Sequence, residues 1–339
     1  MKNIIGVKPP APAEQPVRFL TVDEESAGQR LDNYLFRRLK GVPKTHVYRV
    51  IRSGEVRLNK GRAQADSRVA AGDVVRLPPV RVAGSPAAEA PPRAFEPLYE
   101  DEALLAVNKP AGVAVHGGSG VSFGVIEQLR AARPQARFLE LVHRLDRETS
   151  GVLLVAKKRS ALTALQAQFR GRETGKTYLA LVEGDWPDRL KVLDAPLARY
   201  LLPPTPGQAE GERRVKVVAR DHPDARHALT LVRVLARLAL PGDAAPMTLL
   251  AVTIKTGRTH QIRVHLASAG HPIAGDDKYG DAQRRRALAR LGLNRMFLHA
   301  WRLAFAHPAS GEPVTLLAPL PSELAAMLPA SARATLDTP

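Results

Sequence analysis

The sequence predicts an α+β protein in which a small α-α-β-β module precedes a larger domain built on a mixed, mainly antiparallel sheet. Three observations carry this. Strand-like segments come in runs after Leu98, without the regular strand–helix alternation of a doubly wound fold. The 339 residues exceed what one hydrophobic core usually organises. Finally, Gly28–Val82 holds thirteen Lys/Arg against four Asp/Glu, about half of the +17 net charge in a sixth of the chain. The division expected is a disordered tail over 1–18, the basic module over 19–82, an Ala-, Pro- and Glu-rich linker over 83–97, and the large domain over 98–330.

Each element follows from local pattern. In the module, Leu31, Leu35, Phe36 and Leu39 fall at helical spacing, and Lys44–Arg52 repeats that spacing after the break at Gly41-Val42-Pro43. Ser53-Gly54 stops the second helix, Glu55–Leu58 and Asp73–Leu77 read as strands, and Asn59-Lys60-Gly61 as a turn. In the large domain, strands are expected at Leu104–Asn108, Gly151–Ala156, Thr177–Glu183, Val215–Arg220, Ala228–Leu238, Thr248–Lys255, Leu298–Ala306 and Val314–Ala318. Helices are expected at Phe123–Ala132, Ser160–Arg170, His260–Ala269, Gln283–Leu291 and Ser322–Leu328. The Pro203–Pro206 segment reads as a surface loop.

Composition narrows the function. A basic excess this large favours polyanionic partners, nucleic acid above all. No apolar run approaches the roughly 20 residues needed to span a bilayer, so no membrane partner is expected. There are no cysteines, which excludes disulfides and thiolate chemistry and fits a reducing cytoplasm. Neither GxGxxG nor GxxxxGK[ST] occurs, so no nucleotide cofactor is indicated. His260 and His265 stand five residues apart, about 140° around a helix, which is not a zinc-ligand spacing, and no metal is expected.

What remains is one carboxylate, one phenol and several arginines. His143-Arg144-Leu145-Asp146-Arg147-Glu148-Thr149-Ser150-Gly151 sets an aspartate between two arginines, which favours the charged carboxylate, the form able to act as nucleophile or base. Taken alone, such an Arg-x-Asp-Arg is more commonly a surface ion-pair cluster at a strand entrance. Lys176-Thr177-Tyr178 opens a strand, where a tyrosine is commonly a half-buried strand residue. In Gly257–Leu266, Thr259 is expected to cap a helix that puts Ile262 and Leu266 on its core face and Arg263 beside it. Asn108-Lys109-Pro110-Ala111-Gly112 and His116-Gly117-Gly118 are tight glycine turns, readable as ligand loops or simple hairpins.

Three ordered motifs, H-R-L-D-R-E-T-S-G at 143–151, N-K-P-A-G at 108–112 and G-R-T-H-Q-I-R-V-H at 257–265, together resemble the RluA/RluC/RluD family of RNA pseudouridine synthases. Gly28–Val82 resembles the α-L RNA-binding motif that several members carry. Arg30–Asn33 through Lys44, His116–Gly124 and Phe138–Lys158 look most like the RluC subgroup. The resemblance implies isomerisation of uridine to pseudouridine in 23S (large-subunit) ribosomal RNA, without cofactor, by a cytoplasmic monomer. It implies that Asp146 attacks the ribose anomeric carbon or the uracil ring, or drives a glycal route. Tyr178 would stack on the base and assist proton removal, and Arg263 would pair with Asp146. Leu298 would line the pocket, and Arg144 would occupy the space left by an extruded base. His143, Asn108, Lys109 and His116 would complete the substrate contacts. In the basic module, Arg30, Arg37, Arg38, Lys44, Arg49 and Arg52 would meet RNA. Two other readings stand beside this one: a sister specificity for another rRNA or tRNA site, and a non-catalytic RNA-binding ribosome-assembly protein.

Overall fold

The structure is a computed structural model that describes residues 16–39, 42, 44–80, 90–118, 121–203, 212–239 and 245–336, without the side chains of Glu25 and Lys44. Most of the expected tail, residues 81–82 of the expected module, residues 83–89 of the expected linker and residues 204–206 of the expected loop lie outside the described residues. The chain forms two compact units, Met1–Glu89 and Ala90–Pro339.

The first unit comprises β1 (Arg18–Thr21), α1 (Leu31–Arg38), α2 (Lys44–Arg52), β2 (Arg57–Leu58), β3 (Gly61–Arg62) and β4 (Val74–Leu77). The sheet order is β1-β4-β2-β3, all antiparallel. Leu31, Leu35, Val47, Val50 and Ile51 of the helices pack on Val75 and Leu77, so one sheet face is covered by both helices. Buried Asp32 fixes them to each other: it accepts from Arg30 (2.8 Å), from the Asn33 amide and from the Tyr48 hydroxyl. Both expected helices are present, and β1 is an unexpected edge strand that takes Arg18 out of the tail.

The second unit runs β5 (Pro97–Glu100), β6 (Leu104–Lys109), α3 (Val125–Ala132), β7 (Glu140–Leu141), β8 (Ser150–Ala156), α4 (Arg159–Gly171) and β9 (Gly175–Glu183). Then come β10 (Val192–Asp194), β11 (Leu197–Leu201), β12 (Arg213–Val217), β13 (Leu229–Ala239), β14 (Pro246–Ile254) and α5 (Gln261–Ser268). It closes with α6 (Ala282–Arg290), β15 (Leu298–Ala306), β16 (Pro313–Leu317), α7 (Ser322–Ala325) and α8 (Ala330–Ala334). The main sheet is ordered β10-β13-β14-β9-β15-β8-β6-β5, with β16 on β15 and β7 on β8, while β11 and β12 form a separate hairpin. The α+β, mainly antiparallel expectation is met. Two boundaries move: Pro97 opens a strand, and α8 carries the unit past residue 330, with Ala332 buried in the core.

Strand β8 is buried along its whole length, and its alternation divides the core. Leu153 and Val155 join the large cluster with α3 and α5, while Val152, Leu154 and Ala156 join a second cluster under α4. A strand covered on both faces reads as a continuous apolar run, as Gly151–Ala156 does. Among the described residues the one parallel junction is β8 with β15, pairing Ser150 with His299 and Gly151 with Ala300. Gly151 holds φ +113°, and a Cβ there would run into the Ala300 backbone, so this position admits only glycine.

Beside that junction, Arg295 Nη2 donates to Ser150 Oγ (2.8 Å), and Ser150 donates to His299 Nδ1 (2.9 Å). His299 Nε2–H then donates to the Ala318 carbonyl (3.2 Å). Burial holds the fully enclosed His299 imidazole neutral, its pKa pushed down to about 4. Below pH 6.5 the unfolded chain takes a proton that the folded chain refuses, so stability is full above pH 6.5 and falls as pH drops towards 4. His299 alone should cost about 3 kcal/mol across that window. Urea unfolding at pH 7 and pH 4 checks this, and His299→Gln should flatten the difference by that amount.

Candidate active site

The Asp146 motif forms the loop between β7 and β8. β7 pairs with the far end of β8, and the Val142 amide donates to Leu154 O (3.1 Å), so residues 143–149 are a hairpin tip returned onto its own strand. Leu145 turns into the large core at 7 % exposure, which turns its neighbours Arg144 and Asp146 outwards. The Thr149 amide donates to the Asp146 carbonyl (3.1 Å) and closes the turn.

Two cations, one buried and one partly buried, hold this loop from beneath. Lys109, fully buried at the end of β6, donates through Nζ to the carbonyls of Pro110 (2.8 Å), Val113 (2.6 Å) and Arg147 (3.0 Å). Three acceptors match the three ammonium protons. Burial draws its pKa down to about 7 against the nearby Glu148 and Asp146 charges. Arg295 reaches Ser150 Oγ and, more distantly, the Glu148 carbonyl (3.4 Å). Arg147 turns away to Glu148 (2.7 Å). The expected clamp of Asp146 between two arginines is therefore absent. Among the described residues the Asp146 carboxylate accepts no side-chain or backbone hydrogen bond.

Asp146 instead lines a cavity of about 710 Å³. Tyr178 of β9, Ile254 of β14, Leu298 of β15 and Ile262 supply apolar walls. Arg144, Arg199, Arg226, Arg258 and Arg263 share its lining with Asp146 and Asp224, five guanidinium groups against two carboxylates. That balance suits a polyanion with a reactive carboxylate inside its site. Burial and the Asp146 charge push the Tyr178 phenol well above its ordinary pKa, so at neutral pH it is un-ionised.

The helix carrying Arg263 differs from expectation. Residues Gln261–Leu266 of α5 are all buried, so it is no amphipathic surface helix. Its polar side chains are satisfied internally: Gln261 bonds Thr256 and Thr230, and His265 bonds Thr230 and the Ala195 carbonyl. The capping expectation for Thr259 also fails. The N-cap is His260, at φ +52°, while Thr259 Oγ1 accepts from Arg199 (3.2 Å). A non-glycine residue in that conformation is strained, and such strain gathers at functional sites. Tyr279 accepts the Val215 amide proton and donates its own to His260 Nδ1 (2.8 Å), which leaves the His260 proton on Nε2. Burial lowers the His260 pKa and keeps the ring neutral.

Arg263 makes a two-pronged pair with buried Asp276 (2.7 and 2.5 Å) and a third bond to Asp277 (2.8 Å). Its expected direct pairing with Asp146 is corrected: Asp146 acts on it only through its field. Burial opposes the Arg263 charge, but Asp276 more than offsets this and raises its pKa.

Four other expected contacts lie away from this cavity. His143 accepts the Leu154 amide (3.1 Å) and stacks on Phe169, pinning the loop to β8, with burial holding it neutral at a pKa of about 4. Lys109 is the buried clamp, and Asn108 donates to Glu96 (3.0 Å). His116 is exposed in a glycine loop whose Gly117 and Gly124 amides are capped by Glu127. Missed from the sequence were Arg199, Arg226, Arg258 and His260. Arg199 and Arg226 carry no spacing signal, because the β11–β12 hairpin and the 218–228 loop reach the cavity only in three dimensions, while Arg258 and His260 stand inside the 257–265 motif but were given no role there.

In the basic unit, Arg37, Arg38, Arg49 and Arg52 are exposed on the helices. Arg30 is half-exposed and engaged with Asp32, while the Lys44 side chain lies outside the described residues. Among the described residues, no group of three or more His, Cys, Asp or Glu is placed to hold a metal, and no helix is long and apolar enough to cross a membrane.

Residues 103–268 match the family profile described as RNA pseudouridylate synthase, and residues 29–75 match the S4 domain. The chain is 49% identical over 321 residues to "Ribosomal large subunit pseudouridine synthase C" of Pasteurella multocida, covering 93% of this chain and 94% of that one. It is 50% identical over 313 residues to the protein of that name in Escherichia coli, covering 90% and 93%. Among solved structures it is similar to "Human RNA Pseudouridylate Synthase Domain Containing 4", with TM-score 0.54 and 27% identity over 71% of this chain and 92% of that one.

Arg263→Gln should strand Asp276 as an unpaired buried carboxylate and cost about 3–5 kcal/mol. Arg263→Lys, which keeps the charge without the planar fork, should cost less. Urea denaturation of the two variants measures the difference.

Proposed function

The chain belongs to the RNA pseudouridylate synthase family, and on that premise we propose that it isomerises uridines of large-subunit ribosomal RNA with Asp146 as the reacting carboxylate. We place it in the cytoplasm as a monomer. The carrying observation is a carboxylate free of hydrogen-bond partners inside an arginine-lined cavity, with a neutral phenol in the same wall.

The reaction must break the bond between ribose C1′ and uracil N1 and form one between C1′ and C5. Asp146 attacks C1′, or adds to the uracil ring, or assists a glycal route. Each route needs the carboxylate ionised and unspent at the start. After the uracil turns and C5 joins C1′, C5 loses a proton and N1 gains one. Tyr178 supplies a flat wall for the base. Because its phenol is held neutral, it takes the C5 proton only by handing its own on in the same step, as a relay. Asp146, released as a carboxylate, is the charge it feels and the natural acceptor.

A uridine reaches this cavity only by leaving its stack, at a cost of a few kcal/mol. Arg144, exposed at the rim next to Asp146, has the planar group and charge to fill the gap and hold phosphate. Arg199, Arg226 and Arg258 extend the phosphate-binding surface. The exposed arginines of α1 and α2 add contacts in the S4 unit, in the manner of counterion-releasing backbone binding.

Asp146→Asn is expected to reduce pseudouridine formation to background while leaving RNA affinity within about threefold, since it removes no phosphate contact. Carbodiimide mapping of rRNA from a deletion strain, complemented with wild type or Asp146→Asn, checks both activity and substrate. Large-subunit signals should return only with wild type; signals lost from tRNA alone would overturn the substrate assignment. Tyr178→Phe is expected to lower kcat with little change in KM, and Tyr178→Leu to raise KM as well, because only the second removes the ring. Steady-state kinetics on an rRNA fragment separates them.

A further inference from the structure

The outer face of the β1-β4-β2-β3 sheet, opposite the helices, carries a row of side chains that the proposed function leaves unused. Phe19 pairs across strands with Arg76, Arg76 with Arg57, and Arg57 with Arg62. Directly paired residues project to the same face, so the row crosses all four strands, about 14 Å at the usual strand spacing. Phe19 is 66% exposed, far more than a core or staple residue would be. It borders an open depression of about 1030 Å³ with Arg57, Arg76 and Lys60.

The arginines are positioned but not neutralised. Arg76 donates to the Glu55 carbonyl (2.7 Å), Arg57 to the Lys60 carbonyl (3.4 Å) and Arg62 to the Ser53 carbonyl (3.2 Å). The Arg62 guanidinium lies over Gly54, where a Cβ would clash with it at 2.6 Å. Among the described residues none of the three forms an ion pair. The one carboxylate at the rim, Glu55, is engaged by Ser53 (2.6 Å) and Arg49 (3.6 Å). A protein partner docking here would have to bury three charges with their hydration. A single-stranded nucleic acid brings the matching phosphates and a base face.

We propose that this sheet face is a second RNA-contact surface of the S4 unit, separate from the arginine-bearing helices. It takes a short single-stranded segment, with one base stacked on Phe19 and phosphates along Arg76, Arg57 and Arg62. A duplex does not suit it, because its bases offer no free face to the ring. The proposal rests on the reading that the chain acts on RNA.

The test uses the full chain and an oligoadenylate of eight nucleotides, which contains no uridine and so is no substrate. Phe19→Ala and Phe19→Leu should each weaken oligomer binding about tenfold, the scale of one lost base stack. Phe19→Trp should keep the affinity and show quenched tryptophan emission on binding. Arg57→Gln with Arg62→Gln should reduce the slope of log K against log salt by about 0.7 per phosphate lost. Unchanged affinity in Phe19→Ala overturns the proposal. So does sedimentation showing a wild-type dimer that Phe19→Ala dissolves, which would make the face a self-association surface. Pseudouridine formation in the same preparations separates the two readings. Normal activity with Phe19-independent binding removes only the sheet-face proposal; Phe19-dependent binding without isomerisation removes only the isomerase reading.

Discussion

The close approach of Gly151 to Ala300 is the constraint from which the catalytic unit is built. It joins β8 to β15 in parallel where, among the described residues, every other pairing in the main sheet is antiparallel, and so welds two antiparallel halves into one sheet. The motif carrying Asp146 ends on that glycine. Leu298, on the cavity wall, stands one residue before His299, which pairs with Ser150. Asp146 and one wall of its cavity are thus set by a single backbone contact. A side chain at 151 would part the strands and move both together.

Around that junction the fold places its buried charges in supporting positions and leaves one unsupported. Lys109, Arg295 and Arg263 are each spoken for by carbonyls, a hydroxyl or Asp276. Their hydrogen bonds offset desolvation and fix the loop and helix that border the cavity. Among the described residues the Asp146 carboxylate has no hydrogen-bonded partner. A carboxylate tied into the Arg263 pair would be more stable and less nucleophilic, because the same lone pairs serve both purposes. Directing Arg263 to Asp276 leaves a positive field at Asp146 without occupying its oxygens.

The sequence made much of this legible for definite reasons. Apolar runs such as Val152–Ala156 announced buried strands; two of the ordered motifs contain Asp146 and Arg263, and the family resemblance they carry pointed also to Tyr178 and Leu298, all four of which line one cavity. Periodicity misled where polar residues are buried. The segment Gln261–Leu266 reads as a half-exposed helix only if Gln261, Arg263 and His265 want water; each instead finds a partner on a distant strand or turn. Proximity in sequence misled at His143 and Lys109, which belong to the motifs yet serve to anchor them. The arginines at 199 and 226 were invisible because nothing local distinguishes a cavity-facing guanidinium from a solvated one, and Arg258 was quoted in its motif without a role for the same reason.

The tethering of the Asp146 loop from below has an effect on how substrates are chosen. With its carbonyls held by Lys109 and Arg295 and its strand welded at Gly151, the loop is shaped before any RNA arrives. Reshaping on encounter therefore falls to the nucleic acid. Two sites of similar sequence would be distinguished by how readily each yields its uridine, so that weakly stacked or already kinked segments react first. Selectivity becomes in part a reading of RNA mechanics, with the protein serving as the rigid gauge.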